Sequence, residues 1–309
     1  MKPIKDIKPT DDVGKLVERM GASGGFTAKE LASGVRILEK MNKGKCTRFL
    51  SFPACIIATG TRGIIAEMLK RKLVDVVITT TGTLDHDLAR IWEDYYSGSF
   101  SMDDASLHKK GINRLGNVLV PNESYGIILE TKLQPMIKEI YSQKKEISTY
   151  ELVWEIGKRL EKEKNREDSI IYWAYKNRIP IFIPGIMDGA VGSQLWLFWQ
   201  THRDLKVNLF VDEQKLSDIV FEAKKTGAFI IGGGISKHHT IWWNQFRDGL
   251  DYAVYVTTAQ EYDGSLSGAR VSEAISWNKV KEDAEHVTIY ADATLVLPFM
   301  LSALISRLK

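Results

Sequence analysis

The chain has 309 residues, room for one large domain or two ordinary ones. Its 44% hydrophobic and 26% charged residues are globular proportions, and a net charge of +3 spread along the sequence leaves no footprint for nucleic acid. Two cysteines, Cys46 and Cys55, exclude a disulfide framework and supply no metal-ligand spacing, so no metal is expected.

Residues 1–25 read as a charged N-terminal arm without the apolar core of a signal peptide. A helix follows over AKELASGVRILEKM, where Leu31, Val35, Leu38 and Met41 recur at helical spacing. Beyond it, helical segments such as RGIIAEMLKRK (62–72) alternate with short apolar runs. These are VDVVITT (74–80), IPIFIPG (179–185), AFIIGGG (228–234), YAVYVTTA (252–259) and VTIYADA (287–293). Such runs between helices predict parallel strands covered on both faces. The charged LEKEKNRED (160–168) reads as a helix end and a solvated loop. ATLVLPFMLSALIS (293–306) is too short to span a bilayer and reads as a buried terminal helix, so a soluble, cytoplasmic protein without membrane contact is expected. The fold class predicted is α/β: one doubly wound parallel-sheet domain over 26–309, with helical insertions.

Each run ends in small or polar residues, and in open parallel sheets ligands lie at the carboxyl ends of the strands. Gly232–Gly234, directly after a strand, would let a pyrophosphate approach the backbone; a tight turn is the competing reading, since the pattern is not GxGxxG. Asp188 and Asp292 suit either ribose hydroxyls or helix N-caps. His238 and His239 follow the glycines, and an imidazole there suits a general base. In SEAISWNKVK, Trp277 is a poor core residue between Ser276 and Asn278. An indole beside Lys279 would keep water from an amine nucleophile, while Glu273 suits a cationic substrate.

Four stretches, GGGISKHH, DYAVYVTTAQEYDGSLSGAR, SEAISWNKVK and YADATLV, resemble the deoxyhypusine synthase family in order and spacing. VDVVITTTGTLDHDL and IPIFIPGIMDGAVG match more weakly, and TGTLDHD and DGAVGSQ look like archaeal members. The resemblance runs from about residue 27. It implies a Rossmann-like NAD-binding fold and NAD-dependent transfer of a 4-aminobutyl group from spermidine, by way of a lysine imine, to a lysine of a translation factor. By the same resemblance Lys279 is the nucleophile and His238 the base or amine-positioning group. Glu273, Trp277, Asp263, Gly264 and Asp85 would surround the amine, with Asp87 a further carboxylate candidate. Thr80, Gly82, Asp188, Gly233, Thr258, Ala259, Asp292 and Ala293 would contact NAD. The implied partners are a polyamine donor and a hypusine-containing translation factor, and the implied assembly is a homotetramer.

Several positions depart from the eukaryotic pattern. Ala54 and Cys55 stand for a Ser-Asn pair, His86 for a glutamate, Ser193 and Leu266 for aspartates, Trp242 for an asparagine and Asn278 for a glycine. Up to three carboxylates are lost, which predicts a donor shorter or differently charged than spermidine, such as agmatine. Two rival readings are transfer to a free amine, as in a homospermidine-type synthase, and a non-catalytic NAD- or polyamine-binding paralogue.

Overall fold

The computed structural model describes residues 3–309. Two compact units emerge: one runs through Pro53 and adds Lys72–Ile78 and Glu213–Lys309, the other comprises Ala54–Arg71 and Thr79–Asp212.

In the first unit, five strands pair in parallel in the spatial order Val280–Tyr290, Leu250–Thr257, Thr226–Ile231, Thr47–Ser51 and Val76–Ile78. Thr226–Ile231 is buried at every position, as a strand covered on both faces must be. Consecutive strand residues point to opposite faces. Val254 lies beneath Gly34 of the helix Phe26–Lys43, while the next residue, Tyr255, lies beneath Lys237 of the helix Gly234–Gln245. These helices therefore cover opposite faces, which is the doubly wound arrangement. A Cβ at Gly34 would stand 2.8 Å from Ile289 Cδ1 and 3.2 Å from Val254 Cγ1, so the missing side chain lets the helix sit close to the sheet.

Phe26–Lys43 buries Leu31, Val35, Leu38 and Met41, as their spacing requires. Against it packs the terminal helix Ala293–Leu308, which buries Val296, Leu297, Met300, Leu301, Ala303 and Leu304. Two elements differ from expectation. Within the charged N-terminal stretch, Val13–Ala22 is a helix; the Asp12 carboxylate accepts from Lys15 N–H at 3.0 Å, and Val17 is fully buried. The strand Thr47–Ser51 lies inside the sheet although polar Thr47 and Arg48 open it. Asp75 takes the Arg48 guanidinium in a fork at 2.7 and 2.6 Å, which allows a charged residue beside buried strands.

The second unit is mainly helical, with Thr61–Lys70, Thr81–Trp92, Ile128–Gln143, Thr149–Arg159, Ile170–Asn177 and Ala190–Trp199 as its helices of eight residues or more that lie wholly within it. Tyr96–Ser97, Val118–Pro121 and Ile112–Leu115 form a small antiparallel sheet in that order. Of IPIFIPG, only Ile181–Phe182 is strand. The charged run 160–168 is two short turns, Leu160–Lys162 and Arg166–Asp168. No helix among the described residues is long and apolar enough to cross a membrane.

Candidate active site

Three strand ends adjoin in the first unit. Gly232 N–H donates to Val256 O at 2.8 Å, and Ala291 N–H to Thr257 O at 3.0 Å. Gly233, Thr258, Ala259, Asp292 and Ala293 thus follow directly from neighbouring strands. Gly232 and Gly234 have φ of +67° and +69°, a region that costs most other residues about 1–2 kcal/mol. The helix Gly234–Gln245 then starts without a side-chain cap, a first turn suited to an anion. Gly233 itself is packed: a Cβ there would come within 2.5 Å of Ser267 Cα. Asp292 proves to be an N-cap, with its Oδ1 accepting from Leu295 N–H at 3.1 Å and from the Thr294 hydroxyl. Asp188 is exposed, and the residue that caps its neighbouring helix is Gly189.

From Gly233 the segment 263–279 runs along the helix Gly234–Gln245, touching its far end where Asn278 Nδ2 donates to Gln245 O at 3.4 Å. Between them is a cavity of about 170 Å³, lined by Lys237, Tyr255, Leu266, Glu273, Trp277 and Lys279 among others. This cavity lies over the sheet face and not beyond the strand ends. Lys279 O accepts from Leu250 N–H at 3.1 Å, which puts the lysine backbone beside the amino end of the neighbouring strand.

Local geometry aims the lysine. After the short 3₁₀ turn Val271–Ile275, Lys279 N–H donates to Ala274 O at 3.0 Å. Asn278 turns the chain with a φ of +56°, a conformation asparagine accepts more readily than most residues. That accounts for Asn standing where the family resemblance implied Gly. Lys279 is 8% exposed, with Nζ 5.1 Å from the ring centre of Trp277 and 5.8 Å from that of Trp242. Trp277 is 64% exposed and forms a lip. His238 is also exposed and stacks on Trp242 at 5.7 Å; desolvation, then the positive charge of Lys279, hold its pKa below the usual histidine range. Glu273 lines the cavity from an exposed position. Asp263 is exposed too and accepts from Ser265 N–H at 2.7 Å, with Gly264 at a φ of +75°.

Two functional candidates escaped the sequence reading. Lys237 is 1% exposed, donates from Nζ to Leu266 O at 2.6 Å and Ala269 O at 2.8 Å, and lies 4.3 Å over the Tyr255 ring. Burial pulls its pKa down to about 8, against the opposing pull of Glu273. Tyr255 is 2% exposed, and its buried hydroxyl has no hydrogen-bond partner among the described residues; desolvation pushes that phenol well above its ordinary pKa. The only sequence signal was position, Lys237 beside His238 and Tyr255 within a strand.

Within the second unit, the carboxylates read as amine ligands are already engaged. Asp85, 1% exposed, accepts from Ala190 N–H and Val191 N–H at 2.8 Å each and from the Tyr125 hydroxyl at 2.9 Å. It satisfies the start of the helix Ala190–Trp199, so its oxygens already serve a structural purpose. Asp87 pairs with Arg62 at 2.7 Å and receives Ile170 N–H and Ile171 N–H, so it caps another helix. His86 bonds Tyr95 through Nδ1 at 2.9 Å, and burial lowers its pKa to about 4. A Cβ on Gly82 would stand 2.8 Å from that of Ala54. Thr80 is the N-cap residue of Thr81–Trp92 without a side-chain bond. Ser193 donates to Gly189 O, and Cys55 is exposed.

The fold and the cavity define an α/β protein with a Rossmann-like parallel sheet and a cavity lined by Lys237 and Lys279 along one covering helix. The family model for deoxyhypusine synthase matches residues 15–304. Proteins described as probable deoxyhypusine synthases from Picrophilus torridus and Thermoplasma acidophilum are 63% and 58% identical, each over 97% of this chain and 96% of its own length. A crystal structure from Entamoeba histolytica bearing the same family name has a TM-score of 0.69 at 20% identity, covering 98% of this chain and 96% of the other, which shows the shared fold. The chain belongs to the deoxyhypusine synthase family and is a transferase.

Proposed function

We propose that this chain transfers a 4-aminobutyl group from a polyamine, through an imine on Lys279, to one lysine of a hypusine-containing translation factor. Lys279 carries the reading: it is almost dry, flanked by two indoles, and shares its cavity with a carboxylate. A lysine kept only for solubility would extend into water.

Glu273 attracts the donor's cationic nitrogen, and Trp277 packs against its methylenes. NAD, when bound, supplies the acceptor for the hydride lost from the donor carbon beside the secondary nitrogen, and later returns that hydride. Neutral His238 accepts a proton from the reacting nitrogen. Lys279 Nζ forms a C–N bond to the oxidised carbon as the rest of the donor (diaminopropane from spermidine, guanidine from agmatine) departs with the electrons of the broken bond. Attack by the acceptor lysine then frees Lys279.

Gly233, Thr258, Ala259, Asp292 and Ala293 suit the dinucleotide: the uncapped helix start meets phosphate, and Asp292 spends only Oδ1 on its cap, leaving Oδ2 for a ribose hydroxyl. Thr80, Gly82 and Asp188 are assigned to NAD on the resemblance alone, as are Asp263 and Gly264 to the amine. The same holds for a cytoplasmic homotetramer. Glu273 is the only carboxylate among the residues lining the cavity and Lys237 already brings a cation, which favours a donor less charged than spermidine.

Borohydride trapping tests the reading. Protein incubated with NAD and spermidine, or with NAD and agmatine, then reduced, gains a butylamine mass on Lys279; Lys279→Arg gains none. A mass on another lysine, or on none with either amine, sinks it. Trapping by spermidine at least as fast as by agmatine removes the low-charge donor.

A further inference from the structure

We propose that Trp242 is a substrate-positioning residue, forming with Trp277 an aromatic clamp that grips the donor's alkylammonium chain beside Lys279. The proposal rests on Lys279 as the reacting amine. Both rings lie within cation–π range of Lys279 Nζ, at 5.8 and 5.1 Å. They differ in mobility of setting. Trp277 sits on an exposed turn, whereas Trp242 belongs to the helix Gly234–Gln245 and is held between its neighbours. His238 stacks on it at 5.7 Å and 27°, and Phe246 meets it edge-on at 5.9 Å and 89°. These contacts come one helical turn before and after, so they fix the orientation of its indole.

Trp242 is also 42% exposed, more than core packing would explain for a ring supported by two aromatic neighbours. Its ring centre stands 5.8 Å from the lysine amine, next to the cavity that Trp277 and Lys279 line. An unbranched chain carrying a positive charge matches that surface, because methylenes gain from the ring and an ammonium gains from its face. A fixed ring loses little freedom when the ligand arrives. Trp242 thereby becomes the rigid wall and Trp277 the adjustable one.

The test uses the full-length protein with NAD and either spermidine or agmatine, comparing wild type, Trp242→Ala and Trp242→Phe. The amine that traps on Lys279 should quench tryptophan fluorescence in the wild type. Trp242→Ala should raise both the Kd from that titration and KM about tenfold, with kcat within about twofold, and Trp242→Phe should recover to within about threefold. Thermal midpoints should stay within a few degrees, since the ring is part-exposed. Unchanged Kd and KM in Trp242→Ala overturn the clamp. So does a matching loss of thermal stability and kcat in both variants, which would make the ring mere packing. Wild-type protein that shows neither quenching nor trapping on Lys279 with spermidine or with agmatine overturns the parent reading along with the clamp, whereas wild-type binding unaltered by Trp242→Ala overturns the clamp alone.

Discussion

Tyr255 holds a hydroxyl in the interior with no partner among the described residues, and a group left so typically costs about 1–3 kcal/mol. Removing only that oxygen should relieve the cost. Tyr255→Phe is expected to leave the ligand-free protein as stable as wild type or up to about 1 kcal/mol more so, checked by urea unfolding. A clear loss would mean the hydroxyl is satisfied in solution. That Lys279 stands beside Trp277, Glu273 and His238 was legible from sequence because three of the four fall in one local pattern. Lys237 was not, since a helical lysine ordinarily reads as solvated; only the carbonyls of Leu266 and Ala269, nearly thirty residues downstream, make its burial possible. The engagement of Asp85 was equally hidden. Its partners Ala190 and Val191 lie more than a hundred positions away, so no local rule could show that its oxygens were engaged.

At the scale of the element, the turn before Lys279 depends on one left-handed residue. Asn278→Val should cost about 1–2 kcal/mol because a β-branched side chain resists φ > 0, while Asn278→Gly should be neutral or mildly stabilising. Thermal midpoints of the two variants, with the trapping rate on Lys279, check both points; equal stability of Val and Gly would show the turn is not strained. Helix Phe26–Lys43 was legible because its apolar spacing and its burial coincide. Thr47–Ser51 was not, because a charged residue early in a five-residue strand hides the pattern until Asp75 is seen to neutralise it. The turn-like helix caps of Asp292 and Asp87 show the same limit: a carboxylate near a helix start looks alike whether it caps or binds.

Across the molecule, stability should follow the titration of Lys237. Its folded pKa of about 8 lies below the ordinary lysine value of 10.5, so the unfolded chain holds more protons between those values. Stability therefore rises with pH through that window, and the penalty is fully present below about pH 8. A shift of this size corresponds to roughly 3 kcal/mol at most. Urea midpoints at pH 7.5 and 9.5 should climb in the wild type relative to Lys237→Met; parallel changes in the two would refute the buried charge. Readable along the chain were the alternation of helices with doubly buried strands and the lysine motif, because periodicity and local spacing are written into consecutive residues. Folding alone settled which carboxylates are engaged, which lysine is dry, and that the cavity beside Lys279 lies over the sheet face along a helix. Those outcomes depend on desolvation and hydrogen-bond partners supplied by distant segments, and burial is a property of the folded whole that no short stretch of chain contains.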